Sequence, residues 1–225
     1  MSRSFPESSF NSLVSNIWDL MNFSYEGLTD YIILSQKLSD KTSSNIAKKI
    51  KKWDKQNPNH EYSGNDVYEG EFFSLLNFSQ LALSSGVLLA HSELEGHLRY
   101  ICNSIGQEKN KKIRLSDING HGHIHQCKNY LETVFDLDFS TRKNEWKQIF
   151  AFNRLRNILV HQNGSITLVP NQNLRQNQDF KILSEINIQV TDTGQVKIKD
   201  EKAVKEFIEI SRILLDEICR QLSQA

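Results

Sequence analysis

The chain has 225 residues and carries 27 Lys+Arg against 27 Asp+Glu, a formal net charge of zero. That balance excludes a strongly basic nucleic-acid sponge, though not a local basic groove. With 38% apolar and 24% charged residues, the composition fits one globular domain large enough to do without disulfide or metal staples. Only three prolines and ten glycines occur, and the abundance of Leu, Ile, Lys, Glu, Gln and Asn leans helical. Three cysteines (Cys102, Cys127, Cys219) in no motif spacing fit buried thiols in a reducing compartment. The opening residues have no signal-peptide core, and the longest uninterrupted apolar runs are far short of a bilayer span. A cytoplasmic protein without membrane contact is therefore expected.

Apolar residues from Phe10 to Leu38 recur at three- and four-residue steps, a helical period with an interruption placed near Ser24. A separate basic helix is predicted over Thr42 to Lys55, followed by polar loop to about Asp66. The longest stripe runs from Val67 to Ile105, with Gly106 as its cap. Lys109, Lys111, Lys112 and Arg114 form a basic connector, and Gly120 and Gly122 mark a turn before a short helix to about Phe135. A further helix, capped at Ser140 or Thr141, runs through Trp146 to His161 and stops before Gly164. Alternation over Ile182 to Val190, a turn at Asp192-Thr193-Gly194, and Val196 with Ile198 predict a β-hairpin. The last helix is predicted from Glu201 to Leu222. The fold class is thus all-α: a bundle of long helices with one small hairpin before the C-terminal helix. Residues 1–65 are expected to be a helical extension packed on a domain spanning 66–225, the whole forming a single compact unit.

One segment carries chemistry. The helix from Trp146 to His161 is apolar nearly all round, which predicts a buried helix. Asn153, Arg156, Asn157 and His161 interrupt it, and burying such groups unpartnered costs several kcal/mol. A neighbour, a second subunit or a substrate anion is expected to compensate them. Asn157 and His161 share a face, whereas Arg156 and His161 diverge by about 140° on an ideal helix. Either the long Arg bends partway or a second copy supplies the partner. His161 lies in the last turn, where the helix dipole favours an imidazolium. An arginine beside a histidine suits phosphate chemistry, while an Arg paired with Glu95 and a His bonded to backbone would read identically in sequence.

Arg156-Asn157-Ile158-Leu159-Val160-His161, followed by Gln162-Asn163-Gly164, resembles the signature of the HEPN superfamily (higher eukaryotes and prokaryotes nucleotide-binding). Leu94-Glu95-Gly96-His97-Leu98 resembles that family's long helix with its acidic residue. Asp117 to Gly122, Tyr130-Leu131 and Trp146 resemble the connector before its motif helix. The resemblance covers about Val67 to the C-terminus. It implies a HEPN-like bundle that forms a homodimer through the motif helices, two motifs building one metal-independent endoribonuclease site without cofactor. Members of this kind act as toxins or antiphage abortive-infection effectors on RNA, and an antitoxin or sensor protein is an implied partner. In that reading the ribose 2′-OH attacks the adjacent phosphate. His161 is general base or acid, Arg156 stabilises charge on the phosphoryl oxygens, and Asn157 orients His161 or a phosphate oxygen. Glu95 either holds Arg156 or is purely structural. The alternatives are a catalytically inactive HEPN-like scaffold that binds nucleotide or dimerises, and a helical adaptor in which the match is accidental.

Weaker signals remain. His121, His123, His125 and Cys127 alternate as metal ligands on a strand would, but their segment should begin a helix, where these spacings diverge. The lysines at 48–55 and the cations at 109–114 are either RNA-tracking or simply solvated faces. His91 and His97 read as core or interface histidines, and Ser92 has no triad geometry.

Overall fold

A computed structural model describes residues 7–168 and 173–224. Seven helices and a two-stranded hairpin make up the described chain: α1 (Glu7–Gln56), α2 (Gly64–Val67), α3 (Glu69–Glu108), α4 (His123–Val134), α5 (Lys143–His161), α6 (Gln178–Glu185), β1 (Gln189–Val190), β2 (Val196–Lys197) and α7 (Lys202–Leu222).

The predicted pair of N-terminal helices is one 50-residue helix. No proline falls between Glu7 and Gln56, and the polar stretch around Ser39 to Ser44 contains no stop signal. Ser24, the expected interruption, bonds back to the Met21 carbonyl at 3.1 Å and stays helical. Leu13 and Val14, part of the predicted stripe, lie outside the described side chains. The single turn of α2 replaces predicted loop because Ser63 and Asp66 form a capping box.

Helix α3 is the centre of the bundle, in contact with α1, α4, α5 and α7. Gly106 lies inside it rather than capping it. An added Cβ there would come within 2.5 Å of the Tyr130 hydroxyl, so the glycine permits close approach of α4. Helices α1 and α3 run antiparallel, joined by Ser24 to His97 (3.0 Å), Ser39 to Ser79 (2.9 Å) and Lys49 to Glu71 (2.8 Å). At Gly86 an added Cβ would come within 2.3 Å of Ile32 Cδ1, so the glycine makes room for that side chain.

At 100° per residue, Leu20, Phe23, Leu34 and Leu38 of α1 lie on the same flank of this pair as Phe78, Leu81 and Leu89 of α3, and all are exposed. By length and composition α3 is apolar enough to span a bilayer, with 28% of its most apolar window buried. This differs from the expectation drawn from uninterrupted runs. Isolated polar residues break the uninterrupted runs, so the window average exceeds what the runs suggest.

The C-terminal part also departs from the alternation reading. Ile182 to Glu185 belongs to α6, not to a strand, because Asn177 caps the backbone N–H groups of Asp179 and Phe180. The hairpin shrinks to Gln189–Val190 paired with Val196–Lys197 around Asp192-Thr193-Gly194, with Gly194 at φ +83°. Helices α4 and α7 fall within a residue or so of their predicted ends. The core joins α3, α5 and α7. Phe152 and Phe207 stack there at 4.5 Å, both fully buried.

Candidate functional site

Helix α5 is not buried all round. Trp146, Ile149, Phe152, Leu155 and Ile158 face the core, but Val160 is 45% exposed and His161 is exposed. Arg156 and Asn157 are half-buried. The desolvation cost expected for a buried polar set is therefore largely relieved by solvent.

The side chains of the motif nevertheless meet within one protomer. Arg156 Nη1 donates to Asn157 Oδ1 at 3.1 Å and to His161 Nε2 at 3.1 Å. The five-residue separation is bridged because the arginine stem runs along the helix surface past Asn157 to the last turn. A single helix therefore satisfies both groups: of the two alternatives open in the sequence, the arginine bends to its own histidine. With Nε2 accepting, the neutral His161 ring carries its proton on Nδ1. A phosphate oxygen held by the guanidinium would lie beside that accepting nitrogen.

Two arginines precede the histidine, and the fold separates their tasks. Arg154 makes a bidentate pair with Asp179 of α6, both contacts at 2.6 Å. This bond raises the already high Arg154 pKa further and ties α6 to α5. Arg156 is left to the motif.

Glu95 does not hold Arg156 directly. Its carboxylate lies 3.9 Å from Arg99 Nη1 and 3.9 Å from His123 Nε2, while Arg156 bonds within its own helix. Glu95 and Arg156 do act on a common neighbour, His91. That residue is 3% exposed, and its Nε2–H donates to Asn153 Oδ1 at 2.9 Å. Burial holds its imidazole below the ordinary histidine range. The Asn153 bond and Glu95 oppose the shift, and Arg156 adds to it. Sequence reasoning did not pair His91 with Asn153. The signal was one polar residue on each of two apolar helices, and spacing alone does not show which residues of the two helices meet.

His121, His123, His125 and Cys127 do not converge. His123 faces Glu95, His125 stacks on Phe150 at 3.6 Å with His121 at its edge, and Cys127 is buried with its carbonyl accepting from Cys102 Sγ. Among the described residues no group of three or more His, Cys, Asp or Glu could hold a metal ion. His97 bonds Ser24 and pairs with Glu93 at 3.3 Å, a packing role.

His91, His97 and His125 are each held below the usual histidine pKa, chiefly by burial. The unfolded chain therefore takes up protons first as pH falls through about 6.5. Stability is complete above that pH and is lost on acidification until the folded values are passed. The Tm at about pH 5.5 should lie below that at about pH 7.5, and His91→Gln should flatten the slope. A Tm independent of pH over this window contradicts the assignment.

Compared with protein-family models, curated proteins and solved structures, the chain matches none.

Proposed function

We propose that this protein is a metal-independent endoribonuclease of HEPN type, acting as a toxin or antiphage effector from a dimer whose two α5 helices share one site. The observation that carries this reading is the Arg156–His161 contact of 3.1 Å on the accessible end of α5.

The chemistry needs two proton transfers on opposite sides of phosphorus. A base removes the proton of the ribose 2′-OH as that oxygen bonds to phosphorus. The bond from phosphorus to the 5′ oxygen breaks, and an acid delivers a proton to the leaving oxygen. The products are a 2′,3′-cyclic phosphate and a 5′-OH. Arg156 offers a planar donor to the phosphoryl oxygens, and Asn157 fixes that guanidinium. One protomer offers one accessible motif imidazole, His161, while the nearby His91 is buried. A second copy supplies the second imidazole.

The same bond also favours the other reading, an inactive HEPN-like scaffold that binds nucleotide or dimerises, since Arg156 and His161 satisfy each other without a ligand. Substrate chemistry separates the two. An all-ribose oligonucleotide should be cut to 2′,3′-cyclic phosphate ends, and one deoxyribose at the scissile position should abolish the cut. Cleavage at that deoxyribose removes the 2′-OH mechanism, and absence of cleavage in any RNA tested leaves the scaffold.

A further inference from the structure

The basic connector between α3 and α4 is exposed, and two of its cations border an open cavity. Lys111 and Arg114 line a cavity of about 870 Å³ together with Arg99 of α3 and His123 of α4. Asn103 and Gln107, on successive turns of α3, add amide groups. Among the described residues lining it there is no acidic side chain. Two carboxylates lie near its cations: Glu95, at 3.9 Å from both Arg99 and His123, and Asp117, bonded to the Arg114 backbone.

The cations are placed by the fold. Lys111 Nζ sits over the Phe135 ring at 4.9 Å. The Arg114 backbone is fixed by Asp117 Oδ2 at 2.8 Å, and Gln126 donates to the carbonyls of Leu115 and Ile118, which shapes the connector into a wall. The cavity also has a fixed relation to the motif. His91 bonds Asn153, one turn before Arg156 and Asn157 on α5. Arg99 follows His91 by two turns of the same helix, a rise of ~12 Å. His125 stacks on Phe150 and Lys128 lies over Trp146, so α5 runs opposite to α3 and α4, and a strand lying over Arg156 and His161 has to run back along α5 and past Glu95, a span of several nucleotides, to reach the cavity.

We propose that this cavity holds backbone phosphates of the RNA strand flanking the scissile link, so that the substrate extends several nucleotides from the cut. The inference rests on the ribonuclease reading for its alignment with α5. Cations and amides without a bare aromatic platform read phosphate rather than base, so the contact is sequence-tolerant.

The test uses the full chain carrying His161→Ala, so that RNA is not consumed. Its affinity for a labelled single-stranded RNA of about 12 nucleotides is followed by anisotropy between about 50 and 200 mM salt. Adding Arg99→Ala, Lys111→Ala and Arg114→Ala together should weaken binding at least ~10-fold at low salt. It should also make the slope of log K against log salt shallower by about 2, at ~0.7 for each phosphate no longer neutralised. An unchanged affinity and slope overturns the proposal, as does binding of inorganic pyrophosphate with no gain from lengthening the RNA. Should the triple variant fail to fold, Arg114→Glu alone tests the same effect.

In the His161 background the same three changes should raise KM on the longer RNA by about 10-fold and leave kcat/KM on a dinucleotide within about 2-fold. Parallel loss on both substrates overturns the flanking role. Binding that depends on the three cations in a protein that cuts nothing keeps the cavity as an RNA-backbone contact and rejects the ribonuclease reading; cutting that ignores them does the reverse.

Discussion

Replacing His161 with alanine is expected to lower RNA cleavage by about 10²–10⁴-fold, the range in which a positioned acid or base acts. Arg156→Ala is expected to cost about 10²–10³-fold, as loss of one donor to a developing oxyanion does. Both residues sit at the accessible end of α5, with His161 exposed and Arg156 half-buried, so neither change opens a core cavity. Stability should stay within about 0.5 kcal/mol of wild type. Expressed in a cell, the parent should slow growth and degrade RNA, and each variant should relieve both effects. Full activity in His161→Ala refutes the mechanism. Arg156→Lys distinguishes charge from shape: a lysine keeps the charge and loses the planar fork, so it should remain well below wild type.

The largest effect on stability should come from Phe152→Ala or Phe207→Ala. Their rings stack at 4.5 Å with an interplanar angle of 18°, both with no exposed surface. Each truncation strips apolar packing and leaves a void between α5 and α7, for an expected cost of about 3–5 kcal/mol. Denaturant unfolding should show a lower midpoint with unchanged m. Phe23→Ala is the matching control. Phe23 is 79% exposed, and its truncation should change stability by no more than about 0.5 kcal/mol. A similar cost at Phe23 and Phe152 would mean that the described packing of α5 on α7 is wrong.

Periodicity made the long elements readable. Helix α7 keeps Val204, Phe207, Ile208, Leu214, Leu215 and Ile218 on one side, and its solvent side is polar, so pattern and environment agree. Helix α5 was legible as a helix but not in its burial. Phe150 reads as core in the sequence, yet its cover is His125 in a face-to-face stack, a contact no spacing rule encodes. The N-terminal stretch reads as two helices, with an interruption near Ser24 and a separate basic helix from Thr42, yet it is one helix, and Ser39 before that second start is accommodated in the α1–α3 seam, where it meets Ser79 across 40 residues of chain. The alternation at Ile186, Ile188 and Val190 was real but short, and capping by Asn177 had already committed the preceding residues to helix. In the motif, sequence picked out Arg156 and His161. It could not see that Arg154 is engaged by Asp179, nor that Glu95 turns toward Arg99 and His123, because both depend on which elements become neighbours.

The bare leucines and phenylalanines along the α1–α3 flank give the molecule two surfaces with opposite responses to electrolyte. Sulfate is excluded from apolar surface, so it strengthens any contact made through Leu20, Phe23, Leu34 and Leu81. The same ions screen Arg99, Lys111 and Arg114 and loosen a polyanion there. A single titration with ammonium sulfate is therefore expected to raise retention on a phenyl resin while it weakens the proposed RNA contact, and the two curves can be read independently on one preparation.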